Sequence, residues 1–323
     1  MTVAMADGSE AITLRIADKT MIAQDICLFE LRAEDGAELP PFTAGAHLCV
    51  RVPNGETRKY SLCNDPAESD RYVIAVKKET GGRGGSVCLI EQAKAGDEIA
   101  VGAPRNDFEL KPGPAAYVFI AGGIGITPIR AMIKHLTATR AKPFRLYYFT
   151  RSPELMAFRD EFSGPEFRGK VVIHHDGGDP DKAYDLWPVL EEPKGAHLYC
   201  CGPRGLMEAV RDMTGHWSSS AVHFEDFGAA KARPEDNTPF TVRLAKSGDS
   251  VAVPADKSIL EALRDAGKVL PSSCESGTCG TCKTRLISGE PDHRDLALSE
   301  HERARNIMIC VSRAKSAELV LDL

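Results

Sequence analysis

Apolar and polar residues alternate over short stretches in roughly the first third of the chain. These stretches read ITLRIAD, AHLCVRVP, KYSLCN, RYVIAVKK and EIAVGAP, and Gly, Pro and Asp residues separate them. Alternation with a period of two between turn residues is typical of β-strands, and several such strands in succession indicate a small antiparallel barrel. We therefore predict an antiparallel β-barrel domain over residues 8–112.

After about residue 115 the pattern changes to strand-like runs that alternate with helical ones. The strand-like runs are AYVFIAGG, FRLYYFT, KVVIHH and HLYCCG, and RGLMEAVRDM has the pattern of a helix. A further helix carries apolar residues at helical spacing, at Ile129, Met132, Ile133 and Leu136. This alternation predicts a parallel sheet with crossover helices, an α/β domain that we place at residues 113–228.

The polar stretch GAAKARPEDNTP comes next, and its two prolines and lack of periodicity predict a linker over residues 229–237. Residues 238–323 then combine a hairpin (TVRLAKSG and DSVAVPA), a short helix (SILEALRDAG) and two strands (TCKTRLISGE and ELVLDL). This order indicates a compact α+β domain. The predicted fold is therefore multidomain, with a barrel, an α/β parallel-sheet domain and an α+β domain.

Length and charge narrow the class of protein. A chain of 323 residues with 43% hydrophobic residues suffices for two or three domains, each with its own core. No apolar run approaches the roughly 20 residues of a membrane span, and the start MTVAMADGSEAI lacks the pattern of a signal peptide. The net charge of −6 argues against a nucleic-acid partner. We expect a cytoplasmic protein that binds neither membrane nor nucleic acid.

The ten cysteines fall into two groups. Six lie in apolar or strand-like surroundings, where a thiol behaves as a small hydrophobic group. We expect these six to pack in the core: Cys27, Cys49, Cys63, Cys88, Cys200 and Cys201.

The other four cysteines form the most specific pattern in the chain. Cys274, Cys279 and Cys282 are spaced Cys-x4-Cys-x2-Cys, and Cys310 follows after 27 residues. This is the plant-type [2Fe–2S] spacing, in which four thiolates hold two irons and a loop rich in Gly and Ser wraps around them and aims its N–H groups at the sulfurs. A structural zinc site is the alternative, but it usually takes two Cys-x2-Cys pairs. The spacing therefore predicts a [2Fe–2S] cluster.

Two segments of the predicted barrel have the chemistry of a phosphate site. Arg58-Lys59-Tyr60-Ser61 offers a forked cation and an aromatic face, and Gly82-Arg83-Gly84-Gly85-Ser86 offers bare amides. Neither segment by itself is specific evidence for a phosphate site. The first could be a strand with a surface arginine, and the second an ordinary Gly-rich hairpin.

Two tight turns follow strands of the predicted α/β domain. Gly122-Gly123-Ile124-Gly125-Ile126-Thr127-Pro128 leads into a helix, where glycines admit a pyrophosphate to the helix N-terminus and proline suits the first turn. Cys201-Gly202-Pro203 ends another strand at the same carboxyl edge of the sheet, where ligands of open α/β sheets bind.

RKYSL, GRGGS, GGIGITP, CCGP and the terminal cysteines, in this order, resemble the ferredoxin–NADP reductase superfamily and more closely the phthalate dioxygenase reductase family. The resemblance covers essentially the full chain. It implies a β-grasp ferredoxin domain at the C-terminal end, with FMN, NADH and a [2Fe–2S] cluster as cofactors. It also implies a Rieske-type oxygenase as the partner, and we expect a monomer.

The resemblance further implies roles for particular residues. FMN would be held by Arg58, Lys59, Tyr60, Ser61, Arg83, Gly84, Gly85 and Ser86, with Ala75, Val76 and Lys77 along the flavin edge. Ser61, Thr127 and Phe227 would surround the reacting ring, with Phe227 over the face where nicotinamide stacks; a core aromatic is the alternative for Phe227. NADH would bind at Gly123, Gly125 and the turn Cys201, Gly202 and Pro203.

The choice between NADH and NADPH depends on charged residues that follow two predicted strands: Arg151, directly after Thr150, and Asp176. Asp176 could accept a hydrogen bond from the adenosine ribose and repel a 2′-phosphate, whereas Arg151 could bind one. We favour NADH. FMN is favoured over FAD because no extra segment for an adenine is evident.

These cofactors together predict a route for electrons. NADH delivers two electrons as a hydride, a ferredoxin cluster accepts one, and a flavin connects the two. No acid–base residue is required, so we expect His174, His175 and His223 to be structural or weak cofactor contacts.

Two other functions fit the same motifs. In one, the chain reduces small acceptors such as ferric chelates or quinones. In the other, the cluster serves a redox sensor. The residues do not indicate which aromatic acid a partner oxygenase would oxidise.

Overall fold

A computed structural model of the chain describes residues 11–82, 84–227 and 237–323. Arg83 and all but the last residue of the linker predicted at 229–237 lie outside the described residues. No helix within the described ranges is long and apolar enough to cross a membrane.

The strands are β1 (Ala11–Ala23), β2 (Ile26–Arg32), β3 (His47–Arg51), β4 (Thr57–Ser61), β5 (Tyr72–Lys77), β6 (Glu98–Gly102), β7 (Tyr117–Gly122), β8 (Phe144–Thr150), β9 (Val171–His175), β10 (His197–Cys201), β11 (Val222–Glu225), β12 (Phe240–Leu244), β13 (Ser250–Val253), β14 (Lys283–Ser288), β15 (Pro291–Asp292), β16 (Asn306–Met308), β17 (Arg313–Ala314) and β18 (Glu318–Leu321). The α-helices are α1 (Gly85–Gln92), α2 (Ile126–Thr139), α3 (Arg159–Phe162), α4 (Trp187–Leu190), α5 (Arg204–Met213), α6 (Ile259–Asp265) and α7 (Glu300–Arg303). Short 3₁₀ turns cover Gly123–Gly125, Pro153–Leu155, Pro165–Phe167, Pro180–Lys182 and Ser219–Ala221.

The first sheet is an antiparallel barrel with the strand order β4-β3-β6-β1-β2-β5. Its two end strands meet through a bridge between Leu62 and Ile74 and through a hydrogen bond of 2.9 Å from Cys63 N to Val73 O. Apolar residues at every second position of the strands fill its interior, as in Leu14 and Ile16 of β1. The predicted barrel is confirmed.

Two elements of the barrel were not predicted. Strand β2, with the sequence ICLFELR, pairs along both β1 and β5. Helix α1 begins inside the Gly-rich segment and buries Cys88 and Leu89. Eight residues span little more than two turns, so helical periodicity has little length over which to appear.

The second sheet has the order β11-β10-β7-β8-β9, and the neighbours β10, β7, β8 and β9 pair in parallel. Parallel strands require crossover connections, and α2 provides one of them between β7 and β8. The four apolar residues predicted to line this helix are all at most 3% exposed: Ile129, Met132, Ile133 and Leu136. The predicted α/β architecture is confirmed.

The third sheet has the order β13-β12-β18-β14-β16, in which β12 and β18 run parallel. Helix α6 begins at a capping box in which Ser258 and Glu261 satisfy each other's backbone amides. The strands β15 and β17 form a separate two-residue ladder. This is the predicted α+β domain.

The chain forms two compact units, one of residues up to Leu206 with Ser220–His223, and one of Met207–Ser219 with Phe224–Leu323. Besides the core inside the barrel, the first unit has an apolar core that joins barrel residues such as Ala75 to α/β residues such as Met132. The second unit has its own core around β12, α6 and β18. The domain boundaries given above stay predictions.

Candidate functional site

The two phosphate-site segments of the barrel meet in space. Arg58 lies on β4, opposite Val50 of β3, and Gly85 begins α1. A Cβ atom at Gly85 would lie 2.7 Å from Nε of Arg58, so the guanidinium occupies the space that a side chain would need. Because a forked cation and the first turn of a helix converge here, the arrangement fits a phosphate monoester.

The start of α1 is shaped for such an anion. Gly84 precedes the helix with a left-handed φ of +80°, and no side chain caps the helix or adds negative charge to its first turn. Ser86 Oγ accepts a hydrogen bond of 3.0 Å from Glu79 N, so its hydroxyl hydrogen can be donated to a ligand. Arg83 lies outside the described residues, and its role stays a prediction.

Tyr60 supplies an independent test of whether a flavin fits. Its hydroxyl is buried and has no hydrogen-bond partner in the described part of the chain. Burial raises its pKa to about 12, so it is a neutral phenol that can donate a hydrogen bond to a ribityl or phosphate oxygen. A buried polar atom without a partner costs free energy, and a bound flavin chain would remove that cost.

The neighbours of Tyr60 on β4 are arranged differently. Lys59 is exposed and alternates to the opposite face from Arg58 and Tyr60. Ser61 ends the strand and is 5% exposed. Strand alternation therefore separates the Lys59 side chain from the Arg58 cradle, and a contact with FMN would have to use its backbone.

The third flavin segment approaches β4 where the barrel closes. Ala75 and Val76 are buried on β5, and Lys77 is half-buried at the end of that strand. The bridge from Leu62 to Ile74 places β5 beside the end of β4. The structure therefore brings these two predicted flavin segments together.

The two predicted nucleotide turns touch backbone to backbone. A Cβ atom at Gly125 would lie 2.2 Å from the carbonyl oxygen of Cys201, and one at Gly122 would lie 2.4 Å from Cδ of Pro203. A Cβ atom at Gly202 would in turn lie 2.8 Å from Cα of Gly122. Only glycine permits this close approach of the two turns at the carboxyl edge of the sheet.

Gly123 and Thr127 differ in their surroundings. Gly123 has a left-handed φ of +52° and would have no atom within 4 Å of a Cβ, so it faces open space. Thr127 is 2% exposed, and its hydroxyl donates a hydrogen bond of 3.0 Å to Ile124 O. That bond stabilises the turn, and an approach of Thr127 to a flavin stays a prediction.

The predicted adenosine side lies at the ends of β8 and β9. Thr150 pairs with His175 in the sheet, and Thr150 Oγ1 and His175 Nδ1 lie 2.7 Å apart. Gly177 N donates a hydrogen bond of 2.9 Å to Arg151 O, which joins the two loops. Thr150, Arg151 and Asp176 are thus brought to one place.

The two charged residues of that place differ in freedom. Asp176 Oδ1 accepts a hydrogen bond of 2.7 Å from Gly178 N, which orients the carboxylate within its own loop. Arg151 is exposed, and its side chain passes beside Gly178. The adenosine assignment stays a prediction. The oriented carboxylate of Asp176 favours the ribose of NADH, and the exposed guanidinium of Arg151 would favour the 2′-phosphate of NADPH.

Phe227 follows β11 by two residues and is 45% exposed. This exposure weighs against its being a core aromatic. Its place over the flavin stays a prediction.

Two of the histidines expected to be structural, His174 and His223, pack against aromatic rings. His223 stacks on Tyr199 with ring centroids 4.4 Å apart, and its Nε2 lies 3.2 Å from Nδ1 of His197. Burial, more than the neighbouring charges of His197 and Lys111, lowers the pKa of His223 to about 4. His174 lies among aromatic rings, 5.6 Å from Tyr184.

The four cluster cysteines associate in two pairs. Cys274 hydrogen-bonds with Cys279, and Cys282 hydrogen-bonds with Cys310. In the ranges that the structure describes, no three Cys, His, Asp or Glu side chains converge on a point that a single metal ion could occupy. Two thiols for each of two irons is the donor set of a [2Fe–2S] cluster, so these residues fit it better than one zinc ion.

The cluster loop aims donors at sulfur: the backbone N–H groups predicted for this Gly- and Ser-rich loop, and the hydroxyl of Thr278, which was not predicted. Ser276 N and Thr278 Oγ1 each lie 3.5 Å from Cys274 Sγ, and Cys279 N lies 3.4 Å from it. Hydrogen bonds from Cys279 first, then from Thr278 and Ser276, lower the pKa of Cys274 and favour the thiolate that iron requires. The signal in the sequence was the pair of hydroxyl residues between the first two cysteines.

Burial separates the two cysteine pairs. Cys274 and Cys279 are half-buried, whereas Cys282 and Cys310 are buried. The predicted core cysteines are also all buried: Cys27, Cys49, Cys63, Cys88, Cys200 and Cys201.

Comparisons with known proteins agree with this geometry. Residues 242–315 match a family described as a 2Fe-2S iron-sulfur cluster binding domain, and residues 13–110 match an oxidoreductase FAD-binding domain. Phthalate dioxygenase reductase from Burkholderia cepacia is 57% identical over 324 residues, which cover 100% of both chains. The phthalate 4,5-dioxygenase oxygenase reductase subunit of Pseudomonas putida is 57% identical and covers 96% of each chain.

A solved structure shows the same likeness. Phthalate dioxygenase reductase, described as a modular structure for electron transfer from pyridine nucleotides to [2Fe–2S], aligns with a TM-score of 0.72 at 57% identity and covers 97% of this chain and 98% of that one. The predicted fold class, the oxidoreductase activity, and the flavin, NADH and [2Fe–2S] cofactors are confirmed. The chain belongs to the phthalate dioxygenase reductase family, the flavin- and [2Fe–2S]-containing reductase components of oxygenases.

Proposed function

We propose that this chain oxidises NADH at an FMN held in the barrel and passes the electrons singly through its [2Fe–2S] cluster to a Rieske-type oxygenase. The observation that carries this proposal is the presence, in one chain, of a phosphate cradle beside an unpartnered buried phenol and of four cysteines in two pairs. A bound flavin accepts two electrons as a hydride and releases them one at a time, which matches NADH to a one-electron cluster.

The residues of the barrel would bind and orient the flavin. Arg58 and the amides of Gly84, Gly85 and Ser86 would hold its phosphate, and Tyr60 would donate a hydrogen bond to the ribityl chain. This cradle suits a terminal monoester, which supports FMN. Ala75 and Val76 are buried where the ring edge would lie and would exclude water from it.

The α/β residues would present NADH to that ring. The glycine surface of Gly123 and Gly125 beside Cys201–Pro203 would admit the pyrophosphate, and Phe227 would cover the ring until nicotinamide stacks there. Asp176 would bind the adenosine ribose, which supports NADH over NADPH.

Three further parts of the proposal concern the setting. The oxygenase partner is of the Rieske type, the chain acts as a monomer, and it does so in the cytoplasm. The relatives named for phthalate oxygenase systems support an aromatic acid as the substrate of the partner.

One experiment tests the relay. The purified protein is treated with acid, the released flavin is identified by chromatography, and the visible spectrum of the intact protein is recorded before and after anaerobic NADH. We expect FMN, and bleaching of both flavin and iron–sulfur bands. FAD would contradict the flavin assignment, and a cluster that stays oxidised while the flavin bleaches would contradict the electron path.

A further inference from the structure

Helix α2 carries a largely but not fully buried cation one turn after the predicted nicotinamide turn. Arg130 lies three residues after Thr127, and its side chain is only 14% exposed. Its Nη1 donates a hydrogen bond of 2.6 Å to the carbonyl oxygen of Cys63 in the barrel. A guanidinium–carbonyl bond is charge-assisted and therefore among the stronger ones in a protein.

The acceptor lies where the two predicted flavin strands meet. Strand β4 ends at Ser61, two residues before Cys63. Cys63 N in turn donates 2.9 Å to Val73 O of β5, and the Cys63 thiol is 3.3 Å from the same oxygen. Cys63 thus joins the end of β4 to β5 through its N–H and joins this part of the barrel to α2 through its carbonyl oxygen and Arg130.

Other contacts fix the direction of the guanidinium. Arg130 Nε donates 2.7 Å to Oε2 of Glu161, and the ring of Phe158 lies 4.3 Å from its central carbon. Lys134, one turn further along α2, has Nζ 3.6 Å from Glu161 and so shares this carboxylate. Arginine suits the site because its planar fork addresses the carbonyl and the carboxylate in two fixed directions, which the single ammonium of lysine cannot do.

We propose that Arg130 is a positioning residue for hydride transfer. It holds the first turn of α2, which would receive the nicotinamide, against the strands that would hold the flavin. This inference rests on the proposed function, in which a hydride leaves C4 of NADH for the flavin and NAD⁺ remains. The rate of that step depends steeply on the separation and alignment of the two rings, so a small shift of α2 slows it.

The test compares Arg130→Met, which removes every donor, with Arg130→Lys, which keeps the charge and one donor direction. Lys134→Met is the matched control, because Lys134 shares Glu161 on the same helix face. Each protein carries its flavin and cluster. It is mixed anaerobically with NADH and with 4-deuterated NADH, and flavin bleaching and the long-wavelength nicotinamide–flavin charge-transfer absorbance are followed.

For Arg130→Met we expect wild-type flavin and iron content and an NADH half-saturation within about threefold of wild type. We expect a limiting rate lowered at least about tenfold and a weaker charge-transfer band. Arg130→Lys should recover part of both, and Lys134→Met should lie within about twofold of wild type. A wild-type limiting rate and band in Arg130→Met would overturn the inference, and so would an equal loss in Lys134→Met.

Two further outcomes are kept separate. If Arg130→Met does not fold, Glu161→Gln replaces it, because it weakens the support of the guanidinium without emptying the site. A lowered limiting rate then supports the inference, and a wild-type rate overturns it. If NADH does not reduce the wild-type flavin, the proposed function itself fails, whatever the variants show.

Discussion

The flavin site and the cluster loop of this protein are assembled in opposite ways. Three of the four cluster cysteines lie between residues 274 and 282, and hydroxyl and amide donors of the same loop contact Cys274 Sγ. The flavin cradle instead combines β4, β5 and the start of α1, which meet only because the barrel closes. The residues of the cluster site are therefore close together in the sequence, whereas those of the flavin site come together only when the whole barrel sheet has formed.

Their cores differ in the same sense. The first unit has two cores: one inside the barrel, against which Tyr60 of the flavin cradle packs, and one that includes both barrel and α/β residues, from Ala75 to Tyr148. The core of the cluster unit contains only residues from Phe240 onwards, including Cys282 and Cys310 themselves. We therefore expect damage to the cluster to stay local.

The largest expected effect breaks the cluster alone. In Cys282→Ala, one iron loses a ligand, so we expect complete loss of iron, acid-labile sulfide and cluster absorbance. Flavin content and flavin bleaching by NADH should persist, because the cradle and its core contain no part of the cluster loop. Cys27→Ala, a buried barrel thiol, is the control that should retain the cluster. Loss of flavin in Cys282→Ala would contradict the independence of the two regions.

The next effect strikes the glycine turn in the first unit. In Gly125→Ala, the new Cβ would lie 2.2 Å from Cys201 O, and backbone must move. We expect the free energy of unfolding to fall by about 2–3 kcal/mol and NADH half-saturation to rise at least about tenfold. Denaturant titration and stopped-flow reduction measure the two.

Gly123→Ala is the matched control for this turn. Its Cβ would meet nothing within 4 Å, so only the left-handed φ of +52° costs free energy, about 1 kcal/mol. Equal losses in both variants would show that backbone conformation, and not the contact with Cys201, is responsible.

A smaller effect is expected at the flavin cradle, on the affinity for FMN. In Gly85→Ala, the Cβ would displace the flexible end of Arg58, at 2.7 Å from Nε. We expect about tenfold weaker FMN binding, measured by fluorescence quenching during reconstitution, with stability nearly unchanged. Gly82→Ala, whose nearest atom is 3.6 Å away, should bind FMN normally. Unchanged FMN affinity in Gly85→Ala would contradict the phosphate cradle.

The smallest expected effect is a dependence of the free energy of unfolding on pH, which arises from His223 in the first unit. Burial lowers the pKa of His223 from 6.5 to about 4, so the folded chain keeps the ring neutral where the unfolded chain binds a proton. The free energy of unfolding should therefore fall as pH drops from 6.5 towards 4. The contribution is about 1 kcal/mol between pH 7 and pH 5, after allowing for partial exposure.

Urea titrations at the two pH values, followed by flavin release, measure this dependence. His223→Gln should reduce it. Persistence of the full slope in His223→Gln would assign the acid dependence to other groups.

Much of the architecture could be predicted from the sequence, because periodicity is a local property. The helical spacing of Ile129 and Met132 and the alternation in β1 correspond to buried faces in the structure. Helix α1 and strand β2 were missed. Helix α1 is short, and strand β2 pairs with β5, far along the chain, as well as with its neighbour β1.

The sequence by itself determined the cluster chemistry, the order of the folding units and the identity of the glycine turns. Cysteine spacing and strand–turn–helix order suffice for these, since each is a matter of neighbours along the chain. Only the tertiary structure decided that Arg58 fills the space beside Gly85, that Gly125 contacts Cys201 and that Arg130 bonds Cys63. Such contacts join residues tens of positions apart, and they exist because barrel closure and a shared core bring distant backbone segments together.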